Sequence, residues 1–214
     1  MSRAWTALGA LALVAGTAPA QQLRVGPQVV LASYREVAAG LRYQGTGFGG
    51  VVSARWRRLS AAAAVARASF DPASGSAASQ GFTATEVDAW LAYDVMPYAS
   101  VEAGVLRRTV DPELNATSVG AVRLGARAFS EIGAGATMSF HADYLAAPHF
   151  SGGGHAPFSL DLGLDLDVRL AGRLQATAAY VFQRVDRKTN PGGTGEIDAP
   201  IEQSVARLGL AVAF

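Results

Sequence analysis

The sequence predicts an all-β chain, an antiparallel up-and-down barrel of ten strands, on three observations. Apolar residues recur at every second position through most of the chain. Tight joins alternate with longer connections rich in Gly, Pro, Ser and Asn, and the chain stops in an alternating apolar strand that ends at Phe214. A period of two is a strand signal because successive side chains point to opposite faces of a sheet. Hydrophobic residues make up 50% of the sequence, yet past residue 20 no run of about 18 apolar residues is present to form a membrane helix. The hydrophobicity is spread along faces instead.

Residues 1–20, MSRAWTALGALALVAGTAPA, read as a cleavable signal peptide. Arg3 supplies the positive start, a short apolar stretch follows, and Ala18-Pro19-Ala20 has the small-residue spacing of a cleavage site. The mature chain is expected to begin near Gln21 and to form one domain over residues 21–214. Removing Arg3 from the 18 Lys+Arg leaves 17 against 17 Asp+Glu, a neutral chain with no basic excess to draw nucleic acid. Cys is absent, which excludes disulfides and thiolate metal sites.

Strands are expected at 24–34, 46–57, 59–70, 84–95, 98–109, 117–129, 134–147, 158–171, 173–185 and 201–214, each near the ~9–11 residues that a tilted spanning strand needs. The first is the least regular, and if residues 24–34 are irregular the count becomes eight. The second contains the glycine-rich stretch 45–50, which has no following helix to cradle a phosphate and reads as the beginning of a strand or a bend. The third contains the run Ala61 to Ala66, helical by propensity but confined between a tight join and a loop, so it reads as a strand with a small-residue surface. The eighth, FSLDLGLDLDVRLA, alternates most clearly: Phe158, Leu160, Leu162, Leu164, Leu166, Val168 and Leu170 share one face, with the Asp residues and Arg169 opposite. The last places Leu208, Leu210, Val212 and Phe214 on one face.

Tight joins are expected at 57–59, 96–97, 130–133 and 172, and longer connections at 35–45, 71–83, 110–116, 148–157 and 186–200. A transmembrane barrel joins its strands in this way, with short turns on one rim and longer loops on the other. Aromatic residues prefer the two interfaces of a bilayer. On the apolar faces, Phe48, Phe70, Tyr144, Phe158, Tyr180 and Phe182 are expected near the long-loop rim, and Trp56, Tyr93 and Phe214 near the short-turn rim.

Extending the alternation places Arg55, Arg67, Arg108, Arg123, Arg127, Arg169 and Arg207 toward the lumen. Glu86, Asp88, Asp94, Glu102, Asp143, Asp161, Asp165, Asp167 and Glu202 are expected to join them. Nearly all the cations are Arg, whose planar fork suits bidentate carboxylate pairing. Barrels of about ten strands are largely filled by their own side chains, so an ion-paired, filled lumen is expected over an open conduit.

A chain that stops at an aromatic residue, preceded by apolar residues at every second position, resembles the C-terminal signature of bacterial outer-membrane β-barrel proteins. The resemblance implies residence among outer-membrane lipids and recognition by the barrel-assembly machinery through the strand ending at Phe214, while the alternation of short and long joins leaves both termini on the short-turn side, which is the periplasmic side of such barrels. Three classes of function then compete. A structural or surface-interaction barrel leads, followed by a narrow channel or carrier for small or apolar solutes, and then by an outer-membrane hydrolase. For the last, Ser139, His141 and Asp143 share one inward face of one strand. His141 and Asp143 meeting Glu86 and Asp88 would be loosely similar to the sites of omptin proteases, which also use ten strands. This chain is much shorter, with strands expected barely to clear the membrane and no upper barrel to house a site. His149 and His155 flank a glycine-rich loop and lack further ligands, so they read as solvated. The expectation is therefore no enzyme, no cofactor, and no catalytic, cofactor-binding or metal-ligating residue.

Overall fold

The computed structural model describes residues 22–190 and 195–214. The expected signal peptide, the start near Gln21 and part of the 186–200 connection lie outside the described residues. The strands are β1 (Gln22–Glu36), β2 (Leu41–Trp56), β3 (Leu59–Pro72), β4 (Phe82–Met96), β5 (Ala99–Asp111), β6 (Val119–Glu131), β7 (Ala136–Phe150), β8 (His155–Ala171), β9 (Leu174–Thr189), β10 (Ile197–Asp198) and β11 (Ile201–Ala213). Ten of them form a closed antiparallel barrel in chain order, and the two-residue β10 pairs only with β9. Closure comes from β1 pairing with β11 from Arg24↔Ala213 to Glu36↔Ile201. At the seam the Leu23 N–H donates to the Phe214 carbonyl at 3.3 Å, and the Phe214 N–H to the Leu23 carbonyl at 2.8 Å. The eight-strand alternative is thereby excluded, because Gln22–Glu36 alternates regularly and pairs on both sides. A closed ladder leaves no edge of unpaired N–H and C=O groups, which a sheet surrounded by hydrocarbon requires.

The outer surface has two zones. From the short-turn rim upward it is apolar: Phe48 to Trp56 on β2, Val87 to Val95 on β4, Leu160 to Leu170 on β8 and Leu208 to Phe214 at the end all present apolar side chains outward, with Phe48 76% exposed. These runs have the length that carries a tilted strand through an apolar band about 25 Å tall. Above the level of Phe48, Val65, Val87 and Val105 the outward positions turn polar: Thr46 and Gln44, Arg67 and Ser69, Thr85 and Thr83, Arg107 and Thr109.

The interior inverts this order. At the height of the apolar outer band the lumen is charged. Above it, an apolar layer fills the barrel, with Tyr34, Tyr43, Phe70, Phe82, Val110, Leu145, Phe150, Val185 and Ile201 all buried. Phe70 stacks on Phe82 with centroids 4.6 Å apart, and Tyr34 and Tyr43 meet Phe82 edge-on at 5.4 and 4.8 Å. Gly45, directly across the sheet from Phe70, leaves the space its ring needs. The upper barrel is thus built like a water-soluble barrel, polar outside and apolar inside, and the lower barrel the opposite way.

That inversion explains four departures from the sequence reading. Phe70 turns inward and Arg67 outward, because the alanine run before them carries no polarity from which to fix the parity of β3. Glu202 also points outward, where it accepts from Arg184 at 3.0 Å and lies 3.8 Å from Arg35. The strands run further at the long-loop ends than expected, so the 35–45 connection contracts to 37–40 and the 148–157 connection to 151–154. These loops match the 132–135 turn in length, and the strict alternation of short and long does not hold. Finally, an upper barrel does exist, since polar outward residues read as loop when an apolar outward face is taken as the mark of a strand. Residues 45–50 lie inside β2, not at its beginning, and Ala61 to Ala66 form part of β3 as expected.

Candidate functional site

The charged part of the lumen is one connected network. Arg123, on β6 and 3% exposed, bonds to Asp88 on β4, to Glu102 on β5 at 3.4 Å and to Asp143 on β7 through two of its nitrogens. Its guanidinium also lies over the Trp90 ring at 5.5 Å. Arg127, two inward positions further along β6, donates to Glu102 at 3.0 Å, Ser139 at 3.0 Å, Asp165 at 2.5 Å and the Nδ1 of His141 at 3.1 Å. On the other side Arg108 donates to Glu86 at 2.8 Å and to Gln183 at 2.6 Å, while Arg207 reaches Glu86 at 2.7 Å. Gln183 donates to Asp161 at 2.9 Å and completes the circuit. The forks of Arg are what make it continuous, since one planar guanidinium offers five donors.

Local sequence places these groups. Glu86 and Arg108 are direct cross-strand partners, as are Arg127 and His141, so alternation on adjacent strands alone aims them together. His141 sits opposite Gly163, and a Cβ at that glycine would strike the imidazole ring. Since Nδ1 accepts from Arg127, the ring proton is on Nε2, which donates to Asp161 at 3.0 Å. Asp143 faces Asp161 directly across β7 and β8.

The sequence reading correctly directs Arg108, Arg123, Arg127, Arg207, Glu86, Asp88, Glu102, Asp143, Asp161 and Asp165 inward. Arg55 pairs with Asp94 at 2.5 Å and Arg24 with Asp167 at 2.8 Å near the short-turn mouth. A Ser139, His141 and Asp143 relay is not formed: Ser139 donates to Asp165 at 3.1 Å, His141 to Asp161, and Asp143 accepts from Arg123. Glu86 and Asp88 do not meet His141 either, because Arg123 stands between Asp88 and Asp143 and Arg108 holds Glu86. His149 and His155 are exposed, with His155 3.6 Å from Glu196. Sequence reasoning missed Gln183 and Trp90, which carry no charge pattern to mark them.

Two spaces accompany the network. A vestibule of about 290 Å³ opens toward the short-turn rim and is lined by small and polar side chains, among them Ser53, Ala62, Ser100, Thr177 and Ala179. Next to it a cavity of about 40 Å³ is enclosed by Asp88, Trp90, His141, Asp161, Gln183 and Gln203, large enough for a few waters. Trp90, Arg127, Asp165 and Arg207 border both. The tight aromatic layer lies above.

No protein-family model and no curated protein matches the sequence. Among solved structures, the outer-membrane protease OmpT of Escherichia coli matches at 9% identity with a TM-score of 0.57, over 92% of this chain and 98% of that one. An outer-membrane channel of Pseudomonas putida F1 matches at 11% identity and 0.48, over 92% and 97%. The outer-membrane protein OprG of Pseudomonas aeruginosa matches at 13% and 0.44, over 91% and 96%. At these identities the likeness is one of fold, and the chain has the fold of the outer-membrane β-barrels.

Proposed function

We propose that this chain is an integral barrel of a bacterial outer membrane, exported with residues 1–20 removed, and that it works as a structural or surface-interaction barrel with a sealed lumen. The observation that carries the reading is the stacking of two seals: a cross-linked ionic belt at the height of the apolar outer band, and the Tyr34, Tyr43, Phe70 and Phe82 layer above it. An ion entering from the vestibule would have to break the belt and then displace the aromatic layer. Leu23 and Phe214 meet at the short-turn rim, which this reading places on the periplasmic side. The polar upper wall and the 73–81 and 112–118 connections then face outward from the cell, where loops on a rigid scaffold meet partners.

The chemistry of the belt favours this over a hydrolase. A nucleophile needs a base within hydrogen-bond reach and a third group to orient that base, and here Ser139 and His141 are each committed to a carboxylate and to Arg127. Conductance in planar bilayers tests the proposal. A folded, inserted wild-type barrel is expected to stay silent at moderate voltage. Sustained unitary current steps would overturn the sealed lumen and favour a narrow channel.

A further inference from the structure

We infer that His141, Asp143 and Asp161 form a binding site for one divalent transition-metal cation of the zinc type, buried in the belt between β7 and β8. The inference goes beyond the sealed lumen and does not depend on it.

Four observations converge. The first is charge: the connected network holds six carboxylates (Glu86, Asp88, Glu102, Asp143, Asp161, Asp165) against four guanidiniums (Arg108, Arg123, Arg127, Arg207) and the His141 imidazole, so with the imidazole neutral, as a metal ligand is, the excess is two negative charges, since 6 − 4 = 2. In a low-dielectric interior such an excess is costly unless it is neutralised, and one divalent cation neutralises it. The second is register. Asp143 and Asp161 are direct cross-strand partners on the same inward face, and like charges placed directly opposite repel unless something positive lies between them. The third is an acceptor without a donor: Asp143 is 1% exposed, its Oδ2 is held by Arg123, and its Oδ1, which lies over Gly125 on β6, receives no hydrogen bond. The fourth is geometry, since one ligand atom from each of His141, Asp143 and Asp161 lies within 4.8 Å of the other two. The adjoining cavity of about 40 Å³ has room for water to complete the coordination.

One imidazole and two carboxylates suit zinc and its neighbours, with Zn–N and Zn–O bonds of about 2.0–2.2 Å. Binding through His141 Nε2 displaces the proton on that nitrogen: it moves to Nδ1 of a neutral ring, or leaves to water from an imidazolium, and Asp161 exchanges its hydrogen bond for a metal bond. Nδ1–H then faces Asp165 Oδ2, now 3.7 Å away, giving the carboxylate–histidine–metal arrangement that orients metal-bound imidazoles. Arg127 gives up its contact with Nδ1 and keeps Glu102 and Asp165.

The chain has three histidines, so a His149→Ala/His155→Ala variant leaves His141 as the sole imidazole. The untagged full chain carrying these changes is refolded into detergent, freed of metal with a chelator, and loaded with Zn²⁺ or Co²⁺ both during and after refolding. Bound metal is counted by equilibrium dialysis and the Co²⁺ spectrum recorded. One metal per barrel, a low-symmetry Co²⁺ spectrum with a nitrogen ligand, and loss of binding by about tenfold or more in added Asp143→Asn or His141→Gln variants that still fold are expected. No uptake under either loading, a spectrum of hexa-aquo type, or uptake unchanged in a folded His141→Gln or Asp143→Asn barrel would overturn the site. Should those variants fail to fold, the Co²⁺ spectrum of the His141-only barrel decides alone.

Discussion

Arg123 joins three strands to its own through Asp88, Glu102 and Asp143, so its removal strands two buried carboxylates at once, Asp88 and Asp143, while Glu102 keeps Arg127 at 3.0 Å. Breaking a buried ion pair by deleting one partner costs about 3–5 kcal/mol. Arg123→Ala is therefore expected to lower sharply the temperature at which the folded band disappears on gels. Arg35→Ala deletes a 3.8 Å pair whose cation is 55% exposed, and the same assay should register about 0–1 kcal/mol; equal effects of the two would contradict the ranking. Gly163→Val is expected to block folding or expel His141, because the new side chain would occupy the imidazole's space, and refolding yield measures it. The inward direction of Arg123 was readable from the alternation along β6, but its partners were not. They come from strands 20 to 35 residues away, and only the ladder register brings them to one point. Gln183 was hidden for another reason, since a neutral amide linking Arg108 to Asp161 leaves no mark in a charge pattern.

At the level of the strand, β8 and β11 were legible because Leu, Val and Phe alternate there with Asp, Arg and small residues. β3 was legible as a strand but not in its parity: four successive alanines, Ala61 to Ala64, offer the same side chain to both faces, and the polar and aromatic residues that follow belong to the upper barrel, where the inside is apolar. A chain without cysteine allows this to be tested one residue at a time. Val65→Cys is expected to react only with a lipid-soluble thiol reagent, Arg67→Cys with a membrane-impermeant one, and Phe70→Cys with neither while folded. Protection of Arg67→Cys together with impermeant labelling of Phe70→Cys would restore the opposite parity. The same two-zone rule explains why the loops were expected to be too long. Around Tyr43 and Gln44 the apolar residue points in and the polar one out, which is the pattern of a soluble strand and not of a lipid-facing one.

For the whole molecule, the apolar belt outside, the ionic belt inside it and the β1–β11 seam are parts of one claim, that the chain is a closed barrel made for hydrocarbon. The barrel and its strand number follow from patterns in the sequence, because period two and a bilayer's thickness constrain every strand alike. The inverted upper barrel does not, since it obeys the opposite rule. Migration of the refolded full chain on detergent gels with and without boiling tests the claim most directly. The account predicts that the unboiled protein, kept in solution by detergent, migrates differently from the boiled one, because a barrel with no free edge resists opening by detergent alone. Identical migration of boiled and unboiled samples, together with full solubility once detergent is removed, would contradict it.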